Sequence, residues 1–170
     1  MCISDESILP PNDDETNSTS VRDVSACVRR LIHSQAFGVL CTQGEGQPYG
    51  SLVAYTHDKA LRFMAFATPK ATRKFRLLSE CDHVALLVDN RPQFPGELMK
   101  VEAVTATGRA ALLAPGEDFD CWAGRLTERH PYLRQFVRST SCGLFRVEIV
   151  RYLHVRRFQE VSQWIPRAPG

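Results

Sequence analysis

The sequence has no apolar run near the ~20 residues that a membrane-spanning helix needs, and residues 1–11 lack the basic start and apolar stretch of a secretory signal. A soluble, cytoplasmic protein is the expectation. None of the six cysteines, Cys2, Cys27, Cys41, Cys81, Cys121 and Cys142, belongs to a C-x-x-C pair or has a histidine at ligand spacing. No metal is therefore expected, and the cysteines read as reduced, small apolar residues. Gly44-Glu45-Gly46 lacks the third glycine of a dinucleotide-binding loop and leads into a strand pattern, which excludes a Rossmann reading there. No acid–base or nucleophile constellation stands out.

What is present is enough for one compact core: 170 residues, 44% hydrophobic and 24% charged. The net charge of +2 is unevenly divided. Asp5, Glu6, Asp13, Asp14, Glu15 and Asp23 face Arg22 alone, leaving −5 on residues 1–23 and +7 on the remainder. A basic body suits an anionic ligand. Residues 1–19 are polar and aperiodic and read as a disordered acidic arm, with one domain over 20–165.

Ser20 and Asp23 resemble a capping box, and Val21, Val24, Val28, Leu31 and Ile32 recur at helical spacing, predicting a first helix to about Ser34. Alternating runs around 37–42, 49–56 and 61–67, joined by the Gln43–Pro48 turn and by His57-Asp58-Lys59, predict an antiparallel meander. Thr68-Pro69 reads as the N-cap and first residue of a helix to about Glu80. A strand at 84–88, an irregular loop at 89–97 and a strand from Met99 to about Leu113 with a bend at Gly108 come next. Helical segments after Pro115 and Pro131 precede a last strand over 143–150 that extends towards Phe158. The order is that of a mainly β protein with peripheral helices, a small antiparallel barrel of six strands.

Residues 68–76, Thr-Pro-Lys-Ala-Thr-Arg-Lys-Phe-Arg, place four cations and two hydroxyls at a strand-to-helix junction. The free N–H groups and positive dipole end of a helix start favour a phosphate, and Arg73 and Lys74 add charge-assisted hydrogen bonds. A solvated basic helix face is the competing reading.

The stretch Phe66-Ala67-Thr68-Pro69-Lys70-Ala71-Thr72-Arg73-Lys74 resembles the flavin-phosphate signature of the FMN-binding split-barrel family, the pyridoxamine-5′-phosphate-oxidase-like proteins, in which a Ser/Thr-Arg-Lys triplet opens a helix. Gln47-Pro48-Tyr49, the run Val84–Val88 and Thr107-Gly108-Arg109-Ala110 are similar to further family positions, over about residues 22–160. The resemblance implies FMN as cofactor, its phosphate on Thr72, Arg73 and Lys74. It implies that Phe66, Ala67 and Thr68 lie along the ribityl chain and ring, that Ser51, Leu52 and Val53 lie at the ring, and that Asn90 and Arg91 approach it. It also implies a homodimer with flavin at the subunit interface. The true oxidase is not implied: its arginine and lysine on the second strand are Ser51 and Thr56 here, its glutamine is Ala103, and its Arg-Leu-His signature is Tyr152-Leu153-His154. His154 is left as a candidate substrate contact, and Trp164 as a packing aromatic.

The expected function is an FMN-dependent oxidoreductase or flavin-reductase-like protein acting on a small molecule, with NAD(P)H as a possible electron donor. The alternative is a non-catalytic flavin- or haem-binding module for storage, sensing or delivery. Nucleic acid and membrane are not expected as partners, because four cations at one capped helix start suit one phosphate better than a polyanion's track.

Overall fold

A computed structural model describes residues 18–166; residues 1–17, the greater part of the expected acidic arm, lie outside the described residues, as do the side chains of 18–22 and with them the Ser20 cap. The order is α1 (Ser18–Ser34), β1 (Phe37–Gly44), β2 (Gln47–His57), β3 (Phe63–Pro69), α2 (Arg73–Glu80), β4 (His83–Asp89), β5 (Ala103–Leu112), α3 (Glu117–Arg129), α4 (Arg134–Val137), β6 (Cys142–Arg156) and β7 (Glu160–Trp164). The strands run β3-β2-β1-β4-β5-β6-β7, all antiparallel, and a β3–β6 ladder closes the first six into a barrel. No described helix is long and apolar enough to cross a membrane.

Local chemistry explains the joints. Glu45 and Gly46 both adopt positive φ (53° and 76°), the backbone of a two-residue hairpin turn between β1 and β2. At Gly108 the β5–β6 register slips by one residue, and a Cβ there would lie 2.2 Å from the Glu148 carbonyl oxygen, so this bend needs glycine.

Inward residues of alternating strands fill the barrel: Leu40, Tyr55, Phe66, Val88, Val104, Phe145 and Tyr152. Helix α1 inserts Val28, Leu31 and Ile32 into the same core. Each such aliphatic side chain contributes about 1.5–3 kcal/mol by leaving water. Its C-terminal carbonyls are met by side chains from elsewhere: the Tyr55 hydroxyl lies 2.8 Å from the oxygens of Ile32 and Gln35, and Arg129 of α3 donates to Ile32 O at 3.0 Å and His33 O at 3.1 Å. A second cluster, Trp122, Ala123 and Leu126 of α3 against Ala65 and Leu144, covers the outside of β3 and β6.

Four expectations need correction. Helix α2 begins at Arg73 and its cap is Thr72, because the ladder to β6 holds Thr68 and Pro69 extended opposite Gly143 and Cys142. Strand β5 begins at Ala103; Leu98–Lys100 form a 3-10 turn instead. The last run is a hairpin, since Arg157 and Phe158 take positive φ (46° and 68°) and return the chain as β7, a seventh strand outside the closed barrel. Cys27, Cys41, Cys121 and Cys142 are free thiols, whereas Cys81 is disulfide-bonded.

Two glycine substitutions separate packing from propensity. Gly108→Ala is expected to destabilise by about 1–3 kcal/mol through the Glu148 clash, while Gly124→Ala, on α3 with nothing within 4 Å of its Cβ, is expected to stabilise by roughly 0.8–1 kcal/mol. Urea unfolding of both variants checks the pair.

Candidate functional site

The barrel is split on one side. Strand β2 pairs with β1 from Gln47 to Ala54 and with β3 only from Tyr55 to His57, so its longer first part has one edge free of a strand ladder. Backbone N–H and C=O groups on that edge are open to a ligand. Ser51 lies in this part, and its Oγ is buried with no partner among the described residues. A buried hydroxyl left unpaired is costly, which makes it a natural contact for a bound polar group.

The split leads to the start of α2. Thr68, the last inward residue of β3, is almost wholly buried, and its Oγ1 lies 3.2 Å from the Oγ1 of Thr72. The Thr72 hydroxyl donates to the Pro69 carbonyl at 2.8 Å and accepts the Phe75 N–H at 3.2 Å. With Phe75 N–H on the cap and Arg76 N–H on Thr72 O, the N–H groups of Arg73 and Lys74 remain at the positive helix end. Phe75 packs edge-on against Phe145 at 5.5 Å, and Phe145 stacks on Phe66 at 5.6 Å, which seats the helix on the barrel core.

The cations at this junction differ in setting. The Arg73 guanidinium lies over the Tyr49 ring, 5.2 Å from its centroid, so β2 and α2 hold it jointly. Lys74 is half-buried, and no carboxylate pairs with it among the described residues. Burial pushes its pKa below the usual lysine value. An uncompensated, partly desolvated ammonium beside free helix N–H groups is a site that gains from an anion.

The residues expected to bind divide between two places. Ser51, Val53, Phe66, Thr68, Thr72, Arg73 and Lys74 are along the split or at its α2 end; Val53 and Phe66 are buried core residues that offer only backbone. Ala67 faces α3, and Leu52 points outward, 70% exposed. Strand register puts Asn90, Arg91 and His154 at the opposite barrel end, since they follow β4 or close β6 while α2 follows β3. There Asn90 Oδ1 accepts Glu102 N–H at 2.8 Å, Arg91 pairs with Asp89 at 2.9 Å, and His154 Nε2 lies 3.1 Å from Glu102 Oε2. Trp164 stacks on Tyr152 at 5.3 Å, within its own chain. Tyr49 is the site residue that sequence reasoning left without a role; a tyrosine opening β2 opposite a Ser/Thr-Arg-Lys helix start was the available signal.

A family model described as pyridoxamine 5′-phosphate oxidase matches residues 25–156. No curated protein matches in sequence. Among solved structures, the chain is similar to a heme binding protein from Mycobacterium smegmatis (15% identity, TM-score 0.72, covering 81% of this chain and 56% of that one). It is also similar to HutZ, the heme storage protein from Vibrio cholerae (13%, 0.65, 82% and 92%), and to an FAD-binding protein from Mesorhizobium loti (14%, 0.61, 82% and 94%). At these identities the likeness is one of fold. The chain spans little more than half the length of the Mycobacterium protein.

The lowered Lys74 pKa has a signed consequence. Below that pKa the folded protein carries a desolvated ammonium that the unfolded chain solvates freely, so the charge costs stability; as pH rises towards the ordinary lysine value of about 10.5 the cost disappears. Lys74→Met is therefore expected to melt at or above the wild-type temperature at pH 7 without ligand, by a margin that closes by pH ~10.5. Thr72→Ala, which only loses the cap, is expected to lose about 1 kcal/mol at both pH values. Thermal melts at the two pH values check both.

Proposed function

Because the chain belongs to the pyridoxamine 5′-phosphate oxidase family, we propose that it binds FMN in the β2–β3 split and works as an FMN-dependent oxidoreductase or flavin-reductase-like protein on a small molecule. The observation that carries this reading is the continuity of the split with the half-buried, unpaired Lys74 and the capped start of α2. A flat ring fits between strands that part, and a phosphate fits the cations where they end. The residues present suit the group: Ser51 Oγ offers an unused donor or acceptor, and Thr72, Arg73 and Lys74 offer the phosphate a hydroxyl, a guanidinium and an ammonium. When bound, FMN supplies the hydride chemistry, with a reduced nicotinamide as the proposed electron donor.

The chain's own residues then bind and orient. Arg73, held over Tyr49, and Lys74 neutralise the phosphate; the Thr68–Thr72 hydroxyl pair fixes the turn between strand and helix. Ser51 and the free edge of β2 set the ring plane. Since no described side chain in the split forms an acid–base pair, selectivity on this reading comes from shape and orientation.

The finer partner is a second copy of this chain, with the flavin between the two. The outward face of β1 and β2 supports this, because Phe37 and Leu52 are 49% and 70% exposed and neighbour each other across the Phe37↔Ala54 and Val39↔Leu52 pairs. Exposed apolar side chains gathered on a sheet face suit an interface. Asn90 and Arg91, remote from α2 in one chain, are proposed to reach flavin only across such a dimer. A cytoplasmic location is part of the same proposal.

A haem-binding reading has one observation behind it, the haem-binding and haem-storage proteins among the similar structures. One buried imidazole, His130, is already engaged, its Nε2 lying 2.9 Å from Tyr55 O. FMN is favoured because the cations at α2 suit a phosphate.

The purified protein is expected to carry or take up one FMN per chain, seen in its absorption spectrum and in acid release. Arg73→Ala is expected to weaken FMN binding roughly 10- to 100-fold, the worth of a hydrogen bond to a charged group; retention as tight as wild type contradicts the phosphate assignment, and haem uptake without flavin uptake favours the other reading. Leu52→Glu is expected to convert a dimer to monomer in light scattering after gel filtration.

A further inference from the structure

At the barrel end opposite α2, three side chains from three distant parts of the sequence converge. Cys27 comes from α1, Glu102 from the residue before β5, and His154 from near the end of β6, and their ligand atoms all lie within 4.8 Å of one another. Cys27 is a free, buried thiol and His154 is 2% exposed. We propose that Cys27, Glu102 and His154 form a binding site for a borderline-soft divalent cation, zinc being the ion whose chemistry fits best.

The donor set is one thiolate, one imidazole and one carboxylate, the three ligand types that zinc accepts, and three protein ligands leave the fourth tetrahedral position for water or another small ligand. Two such ligands on a tetrahedral zinc stand roughly 3.3 Å apart, given metal–ligand bonds of about 2.0–2.1 Å. The His154 Nε2 to Glu102 Oε2 distance of 3.1 Å is already close to that edge. Only the thiol needs to approach. The carboxylate is also supported from behind. Glu102 N–H donates to Asn90 Oδ1 at 2.8 Å, Asn90 N–H donates to Glu102 O at 3.2 Å, and Arg30 Nη2 lies 2.8 Å from both carboxylate oxygens. Glu102 Oε1 can stay on the exposed Arg30 while Oε2 turns to the metal, an outer hydrogen bond of the kind that orients metal ligands. Binding releases the Cys27 thiol proton, and the ion, thiolate and carboxylate then sum to zero charge. Spacings of 75 and 52 residues hide this site from any motif search.

The test uses the full chain stripped with a chelator and titrated with zinc sulfate alone. One zinc per chain is expected. Cobalt(II) in its place is expected to give a thiolate-to-cobalt charge-transfer band in the near ultraviolet. Cys27→Ser and His154→Gln are each expected to lose that band and to weaken zinc binding on the order of 100-fold or more, whereas Cys41→Ser and Cys121→Ser, at exposed free thiols, and Arg73→Ala, at the other barrel end, keep both. No zinc at stoichiometry, no thiolate–cobalt band on the wild-type protein, or zinc binding undiminished in folded Cys27→Ser overturns the proposal.

Discussion

The backbone groups of β6 are shared among three strands: β3 takes Cys142–Glu148, β7 takes Tyr152–Arg156, and β5 runs along Phe145–Val155 with a one-residue slip after Ile149. One strand can serve both sets only by bending where the partners change, and the bend sits opposite Gly108, where any side chain would strike the Glu148 carbonyl. Barrel closure, the entry of β3 into α2 and the placement of β7 all depend on that bend. Because β3 is held by β6, it need not stay with β2, and the two strands are free to part. The split is thus the geometric counterpart of the closure.

Much of this was legible in the sequence. The hairpin at Glu45-Gly46, the bend at Gly108 and the alternation of β1 to β6 rest on local rules, turn chemistry and a period of two. The start of α2 was misplaced because Thr68-Pro69 satisfies the capping rule as well as Thr72 does. Only the long-range ladder to Gly143 and Cys142 decides between them. In the same way the last strand was carried on towards Phe158 and β7 was missed, since nothing local requires Arg157 and Phe158 to adopt positive φ. At the site, Thr72, Arg73 and Lys74 were visible as a motif, whereas the role of Tyr49 depends on which strand lies beneath the helix start. Asn90 and His154 were visible as residue types, Asn90 read as a flavin contact and His154 as a substrate contact; in the fold both bond Glu102 at the end away from α2.

The two ends of the barrel therefore carry different chemistry. The α2 end gathers two cations without a carboxylate partner among the described residues: Arg73 on a tyrosine face and Lys74 with its charge disfavoured by burial. At the α1 end Glu102 is bonded to both Arg30 and His154, beside Cys27. A positive body that looked diffuse in the sequence thus includes, at the start of α2, a partly desolvated charge without a partner among the described residues, and such a charge is where a ligand gains most.

The central claim is that this unmet charge holds a phosphate. Titrating the flavin-free protein with FMN and with riboflavin, which differ only in that group, isolates its contribution. FMN is expected to bind at one per chain and on the order of 100-fold or more tightly than riboflavin, in keeping with two charge-assisted contacts, with the gap narrowing as salt is raised. Equal affinity for the two flavins, or binding of neither, contradicts the account.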